Sequence, residues 1–304
     1  MKLEQLPEKP TRPHPFYDLE TIELQVPVAE LGRSVAISCK VAGDGPPIVL
    51  IHGLMTSSYS FRYITTLLAE HYRVFVPDMP GAGQSEAPVE LSMHPASVAR
   101  FLGSLIGALD VGAPYVVGNS LGGYQCLWLL LLEPQRFERL MVMHSPGFPI
   151  GRMYALRAAL GIPGAFKLFE RLACRDPELF VARNVHYHFP EILSREETRE
   201  YGAIFRDPAR TRVFFQILRD GLAPAPMREF QRALRARRER GDRSLPIRLL
   251  WAERDKMVPP AFGPRYNALL PEAELVWMSG VSHFMHVDDP AATAEQLLRF
   301  DREG

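Results

Sequence analysis

The sequence predicts an α/β protein: a mostly parallel sheet flanked by helices and interrupted by an inserted helical lid. Three observations carry that prediction. Short apolar runs of strand length recur from residue 48 onward. Amphipathic stretches of helical period separate those runs, which implies crossover connections. One stretch, residues 146–245, breaks the alternation and reads as helical pieces alone.

Each element follows from its local chemistry. Residues 1–20 are Pro-rich and polar and read as an extended arm. Thr21–Val28 and Ser34–Val41 are β-branched and partly alternating, as strands are. Gly43-Asp44-Gly45-Pro46-Pro47 is a turn. Ile48–Ile51, Val74–Val76, Tyr115–Val117, Leu140–Val142, Ile247–Trp251 and Leu275–Met278 are near-continuous apolar runs, the pattern of strands buried on both faces. Helices are expected over Tyr59–Ala69, Pro95–Leu109, Leu121–Leu132, Ala261–Leu269 and Ala291–Phe300. Within the lid, helical pieces are expected over Arg152–Leu160, Phe166–Leu172, Arg195–Ile204, Arg210–Asp220 and Met227–Arg240. A compact domain does not carry a structureless loop of that length. The chain therefore divides into the arm (1–20), a first core part (21–145), the lid (146–245) and a second core part (246–304).

Composition narrows the function classes. Thirty-five basic residues balance 35 acidic ones, and 47% of the 304 residues are apolar. A disordered chain needs far fewer apolar residues and a strong net charge. A nucleic-acid binder needs a basic excess to neutralise phosphates. No apolar run approaches the roughly 18 residues of a membrane-spanning helix. The N-terminal residues lack the apolar core of a secretory signal. Cys39, Cys126 and Cys174 are odd in number and widely spaced, which fits neither a disulfide framework nor a metal cluster. The expected location is the cytoplasm, and the expected partner a small-molecule substrate. Oligomeric state is not legible.

The chemistry is concentrated at three strand ends. Gly118-Asn119-Ser120-Leu121-Gly122 follows one strand and opens a helix, the setting in which G-x-S-x-G lifts a serine hydroxyl clear of the sheet edge. Serine is a poor nucleophile without a base, and the base needs an orienting carboxylate. Asp255 follows the strand ending at Ala252, and His283 follows the strand ending at Met278. Both leave carboxyl ends of strands, where ligands bind in open α/β sheets. His52-Gly53-Leu54-Met55 leaves a fourth strand end. The backbone N–H groups of Leu54 and of Leu121, the residue after the serine, are the expected oxyanion donors. The order Ser, Asp, His is that of one fold family and not of chymotrypsin or subtilisin.

From about residue 20 onward the chain resembles the α/β-hydrolase fold family, in a serine-nucleophile form with a helical cap. His52-Gly53, PDMPGAGQS (77–85), GNSLGG (118–123), WAERDKMVP (251–259) and GVSHFMHVDDP (280–290) carry the resemblance jointly. The stretch His52–Tyr59 resembles the haloalkane dehalogenase and epoxide hydrolase branch. Those enzymes carry Asp where this chain has Ser120, and dehalogenases carry a halide-binding Trp where it has Leu121. GNSLGG is close to the GNSMGG of serine C–C bond hydrolases of aromatic-ring degradation, but their HGxGPG-like oxyanion loop is HGLMTS here. Ester hydrolysis demands least beyond Ser120, Asp255 and His283. The expected activity is cleavage of a carboxylic ester with apolar groups through an acyl-enzyme. C–C cleavage, acyl transfer and perhydrolysis use the same three residues, and a non-catalytic receptor on this fold is the other class.

The remaining candidates have plainer readings. Asp78 is expected to be structural, in the turn before Gly81, and Asp288 and Asp289 to start the last helix. His144-Ser145-Pro146, after the strand Leu140–Val142, holds no carboxylate, which leaves Asp255 as the acid. His286 and His283 lack a third ligand of metal spacing. His186 and His188 are expected to line the lid or a loop. The seven arginines from Arg228 to Arg243 suit a solvated helix face better than a membrane-surface helix. The many lid aromatics favour an apolar substrate group. No phosphate-binding glycine loop is present, so no nucleotide cofactor and no metal are expected.

Overall fold

A computed structural model describes residues 3–242 and 245–303, and Arg243 of the arginine-rich stretch lies outside them. The strands are β1 Glu20–Val28, β2 Arg33–Ala42, β3 Pro47–Ile51, β4 Arg73–Pro77, β5 Tyr115–Asn119, β6 Arg139–Met143, β7 Ile247–Ala252 and β8 Glu274–Met278. They form a single eight-stranded sheet in the order β1-β2-β4-β3-β5-β6-β7-β8. β1 pairs antiparallel with β2, and β2 with β4. From β4 across to β8 every pair is parallel. The apolar runs explain this division: β5, β6 and β7 are buried along their whole length, whereas β2 alternates buried and half-buried residues.

The helices are α1 Ile64–Ala69, α2 Pro95–Ala108, α3 Leu121–Leu132, α4 Gly151–Leu160, α5 Ala165–Arg175, α6 Pro177–Asn184, α7 Arg195–Gly202, α8 Pro208–Gln216, α9 Pro224–Glu239, α10 Phe262–Leu269, α11 Met285–Asp288 and α12 Pro290–Glu303. Two apolar clusters cover the two faces of the sheet. One packs α2, α3 and α10 against it, and the other packs α1 and α12. Helices α4 to α9 all lie between β6 and β7 in the chain. A third cluster joins them to the body, with Phe205, Phe214 and Tyr187 of this insert meeting Tyr59, Phe284 and Val287.

Several elements differ from expectation for identifiable reasons. The helix expected from Tyr59 begins instead with a 3-10 turn, Ser58–Phe61, and becomes α-helical only at Ile64. Ser57 accepts the Tyr59 N–H, and Asp78 Oδ1 accepts the Ser58 N–H, which fixes a tighter entry. Helix α6 was not anticipated, although Asp176 caps it at the Leu179 N–H and Pro177 opens it. The arm is tied to the body of the fold. Leu6 and Phe16 are buried in the third cluster. Pro7 and Glu8 carbonyls accept the Arg195 and Glu196 N–H groups of the insert. Arg237 is not on a solvated face: it is 1% exposed and paired with Glu272. Among the described residues no helix is long and apolar enough to cross a membrane.

Candidate active site

Five strand ends meet at one edge of the sheet. Ser120 sits between β5 and α3 with φ 53° and ψ −118°, a conformation L-residues avoid. Neighbouring glycines make it possible. A methyl added at Gly122 would lie 2.3 Å from the Ile51 carbonyl, and one at Gly118 2.6 Å from Gly123. The turn is held by the Ser120 N–H donating to Met143 O at 2.7 Å and by Tyr124 N–H donating to Ser120 O at 3.0 Å. Leu121 is the first residue of α3, so its N–H has no acceptor within the helix and stands at the positive end of the helix dipole.

Asp255 follows β7, and a tight turn organises its carboxylate. Oδ1 accepts the Met257 and Val258 N–H groups at 2.6 and 2.9 Å. Oδ2 accepts from His283 Nδ1 at 2.7 Å. Burial opposes the charge on Asp255, but the adjacent His283 and His144 more than offset it, and the carboxyl is held well below the usual range. His283 is 2% exposed. Its loop is pinned by Asp288, whose Oδ2 accepts both the Ser282 N–H and the Ser282 hydroxyl, at 2.7 and 2.6 Å. Asp288 Oδ1 accepts the His188 N–H from the insert. Asp288 therefore buttresses the histidine loop instead of opening the last helix. Asp289 does the latter, accepting the Ala292 N–H.

The loop after β3 is set by His52. Its Nε2 accepts the Met79 N–H at 2.9 Å, so Nδ1 carries the proton and donates to Gly53 O at 2.9 Å. This braces Gly53-Leu54 beside the serine. A methyl at Gly53 would lie 3.1 Å from Ser120 Cβ. Asp78 occupies the turn before Gly81, accepting the Ser58 and Gln84 N–H groups.

Ser120, Leu121, Leu54 and His283 line one cavity of about 340 Å³. Its walls are largely apolar and include Met153, Leu156, Phe180, Phe214 and Leu218 of the insert and Met257 of the core. Asn184 and Arg152 are its polar exceptions on the insert. A second pocket, of about 40 Å³, adjoins along Gly53–Thr56 and Leu121 and runs toward Met93, Val98 and Val213. His186 and His188 are not among the lining residues.

Sequence reasoning missed His144. It follows β6 directly, is fully buried and has φ 51°. Its Nδ1 lies 3.0 Å from Asp255 Oδ2, and neither ring nitrogen makes a hydrogen bond. Burial lowers its pKa and keeps it neutral. Its strand-end position was the available signal. Together His144, Asp255 and His283 could offer a metal three ligand atoms. Two ligands of one tetrahedral zinc at about 2.0 Å stand about 3.3 Å apart. The 2.7 Å between His283 and Asp255 is the separation of a hydrogen bond, with a proton between the atoms. His286, also buried, is stacked 4.9 Å from Phe61 and is not part of this trio.

Comparison with known proteins decides the family. Residues 46–290 match the family described as the alpha/beta hydrolase fold. The chain belongs to the α/β-hydrolase fold family. The 2-hydroxy-6-oxo-2,4-heptadienoate hydrolase of Pseudomonas putida is 26% identical over 274 residues, covering 86% of this chain and 92% of that one. Among solved structures, the 2-hydroxy-6-oxo-6-phenylhexa-2,4-dienoate hydrolase of Rhodococcus has 25% identity and a TM-score of 0.71, covering 93% of this chain and 99% of that one. The epoxide hydrolase CorEH shares the fold at TM-score 0.75, with 21% identity over 92% of this chain and 98% of that one. As an α/β-hydrolase, the chain places its polar cluster at the carboxyl edge of the sheet, where this architecture binds ligands.

Proposed function

We propose that this α/β-hydrolase is a serine hydrolase that cleaves a carboxylic ester carrying apolar groups. One observation carries the reading: the 2.7 Å His283–Asp255 hydrogen bond opens onto the same cavity as a serine held at φ 53°. Ser120 Oγ attacks the ester carbonyl and passes its proton to His283 Nε2. Asp255 keeps Nδ1 protonated, orients the ring and balances the imidazolium charge. The Leu54 and Leu121 N–H groups receive the oxyanion, each worth about 10²–10³ in rate. His283 then protonates the departing alcohol. Water, deprotonated by the same ring, attacks the acyl carbonyl, and Ser120 recovers its proton. The apolar chamber under the insert favours an alkyl or aryl group over a sugar or phosphate. On this reading the insert acts as a lid.

A second reading, hydrolysis of a 2-hydroxy-6-oxo-dienoate, is supported by the named relatives. Such substrates are carboxylates and need a cation. Arg152 is the candidate, but it lies on the exposed side of the chamber. The HGLMTS loop also departs from those enzymes, so the ester reading stands first.

Labelling with a fluorophosphonate and mapping the adduct by peptide mass spectrometry tests the proposal. The expected result is an adduct on Ser120 that His283→Ala abolishes. A folded, monodisperse protein that takes no label would overturn it.

A further inference from the structure

Helix α5 has two apolar faces where a surface helix needs one. Its inward face is ordinary: Phe166 packs edge-on against Phe215 with ring centroids 5.5 Å apart, Phe169 joins the cluster beneath the insert, and Ala173 is fully buried. Its outward face carries Leu168 and Leu172, 57% and 54% exposed and one turn apart. Ile162, in the turn from α4, is 60% exposed, and Tyr154 on α4 is 50% exposed. These four of the chain's large exposed apolar side chains therefore fall on one helical hairpin.

The charge on that hairpin is equally uneven. Residues 151–175 hold Arg152, Arg157, Lys167, Arg171 and Arg175 against one acidic residue, Glu170, in a chain whose total charge is zero. Lys167, Arg171 and Arg175 are exposed, follow the same i, i+4 spacing as Leu168 and Leu172, and form no ion pair among the described residues. Elsewhere on the surface arginines are commonly paired, as Arg199 is with Glu8 and Arg206 with Glu178. Exposed leucines between unpaired cations match the chemistry of an anionic lipid surface. The apolar groups enter the acyl boundary, and the long cationic stems reach back to the phosphates.

We propose that the outward face of the α4–α5 hairpin docks on anionic phospholipid surfaces. The other side of α4 contributes Met153 and Leu156 to the 340 Å³ cavity. A docked hairpin thus brings that wall of the cavity close to the lipid. The docking itself needs no chemistry at Ser120.

Vesicle flotation tests it. The wild-type chain is expected to float with phosphatidylglycerol vesicles at low salt, to be released by 0.5 M salt, and not to float with phosphatidylcholine. Leu168→Glu/Leu172→Glu is expected to lose at least tenfold in bound fraction, with an unchanged melting temperature and unchanged cleavage of a soluble ester. Lys167→Gln/Arg171→Gln/Arg175→Gln is expected to lose the lipid-charge preference. Ser120→Ala is expected to float like the wild type, so the docking and the hydrolase reading fail separately. Wild type that stays at the bottom with phosphatidylglycerol overturns the proposal. So does a leucine double variant that floats equally well. So does a wild-type dimer that the double variant splits into monomers, because the face would then join two copies.

Discussion

Asp255 gathers more of the site's geometry than any other side chain. Both oxygens are occupied, Oδ1 by two backbone N–H groups and Oδ2 by His283, with His144 Nδ1 3.0 Å from Oδ2. Asp255→Asn is expected to leave the fold intact and to lower kcat about 10⁴-fold, because an amide in this place favours the wrong imidazole tautomer. Steady-state kinetics on a short-chain aryl ester checks it, and a loss under tenfold rules out the orienting role. His144 faces Asp255 and is absent from the cavity lining, so any influence on catalysis is expected to run through that carboxylate. Asn tolerates φ 51° better than most residues, so His144→Asn preserves the backbone while removing the ring beside the carboxylate. The expected result is a roughly tenfold fall in kcat at constant KM, the effect of a loosened orienting group. An unchanged kcat would leave His144 a packing residue only.

At the scale of elements, a buried ion pair ties α7 to the turn before α1. The guanidinium of Arg62 is fully buried, pairs with the equally buried Glu197, and lies 4.5 and 4.4 Å from the rings of Tyr59 and Tyr63. Glu197 also accepts the Tyr187 hydroxyl and completes a capping box with Ser194 at the start of α7. Removing one partner leaves the other charge without compensation. Glu197→Ala is expected to cost about 3–5 kcal/mol, read as a lower urea midpoint. A double change to apolar residues of similar volume is expected to recover much of that loss. A single variant within about 1 kcal/mol of wild type would show that water reaches the pair. The arm reinforces the same corner: Arg12 donates to the Val287 and Asp288 carbonyls, and His14 meets Glu196 at 3.0 Å.

Across the whole molecule, four imidazoles share one electrostatic condition. Burial lowers the pKa of His14, His52, His144 and His286, the last well below its usual value. The unfolded chain binds protons at these groups near pH 6.5, and the folded chain binds them only at lower pH. As pH falls below that value the unfolded state holds more protons, so stability is full above it and drains away beneath it. Asp255, depressed instead by its histidine neighbours, adds a second loss below about pH 4. Urea midpoints should therefore fall between pH 7.5 and 5.5, before carboxylates titrate. A midpoint constant over that range contradicts the burial of neutral imidazoles. His286→Phe, which keeps the stack on Phe61, is expected to flatten part of the slope.

What the sequence determined by itself was local. Ser120, Asp255 and His283 could be picked out as candidates because each follows an apolar strand run, and a parallel sheet brings successive strand ends to one edge whatever the intervening chain does. Helix α3 was legible to its last residue because a glycine turn starts it and Glu133-Pro134 stops it. Only the tertiary structure decided what depends on contact between distant segments. His144 had only its strand-end position to mark it and Asp288 read as a helix start, since the partners of both are delivered by other elements. Arg237 read as a surface cation because charge in a sequence does not announce its partner, and only folding brings Glu272 to it, as it brings Glu197 to Arg62. The arm's anchors were not legible because they lie in α7 and the histidine loop, far along the chain. Periodicity records which face of a segment is buried, and it does not record against what.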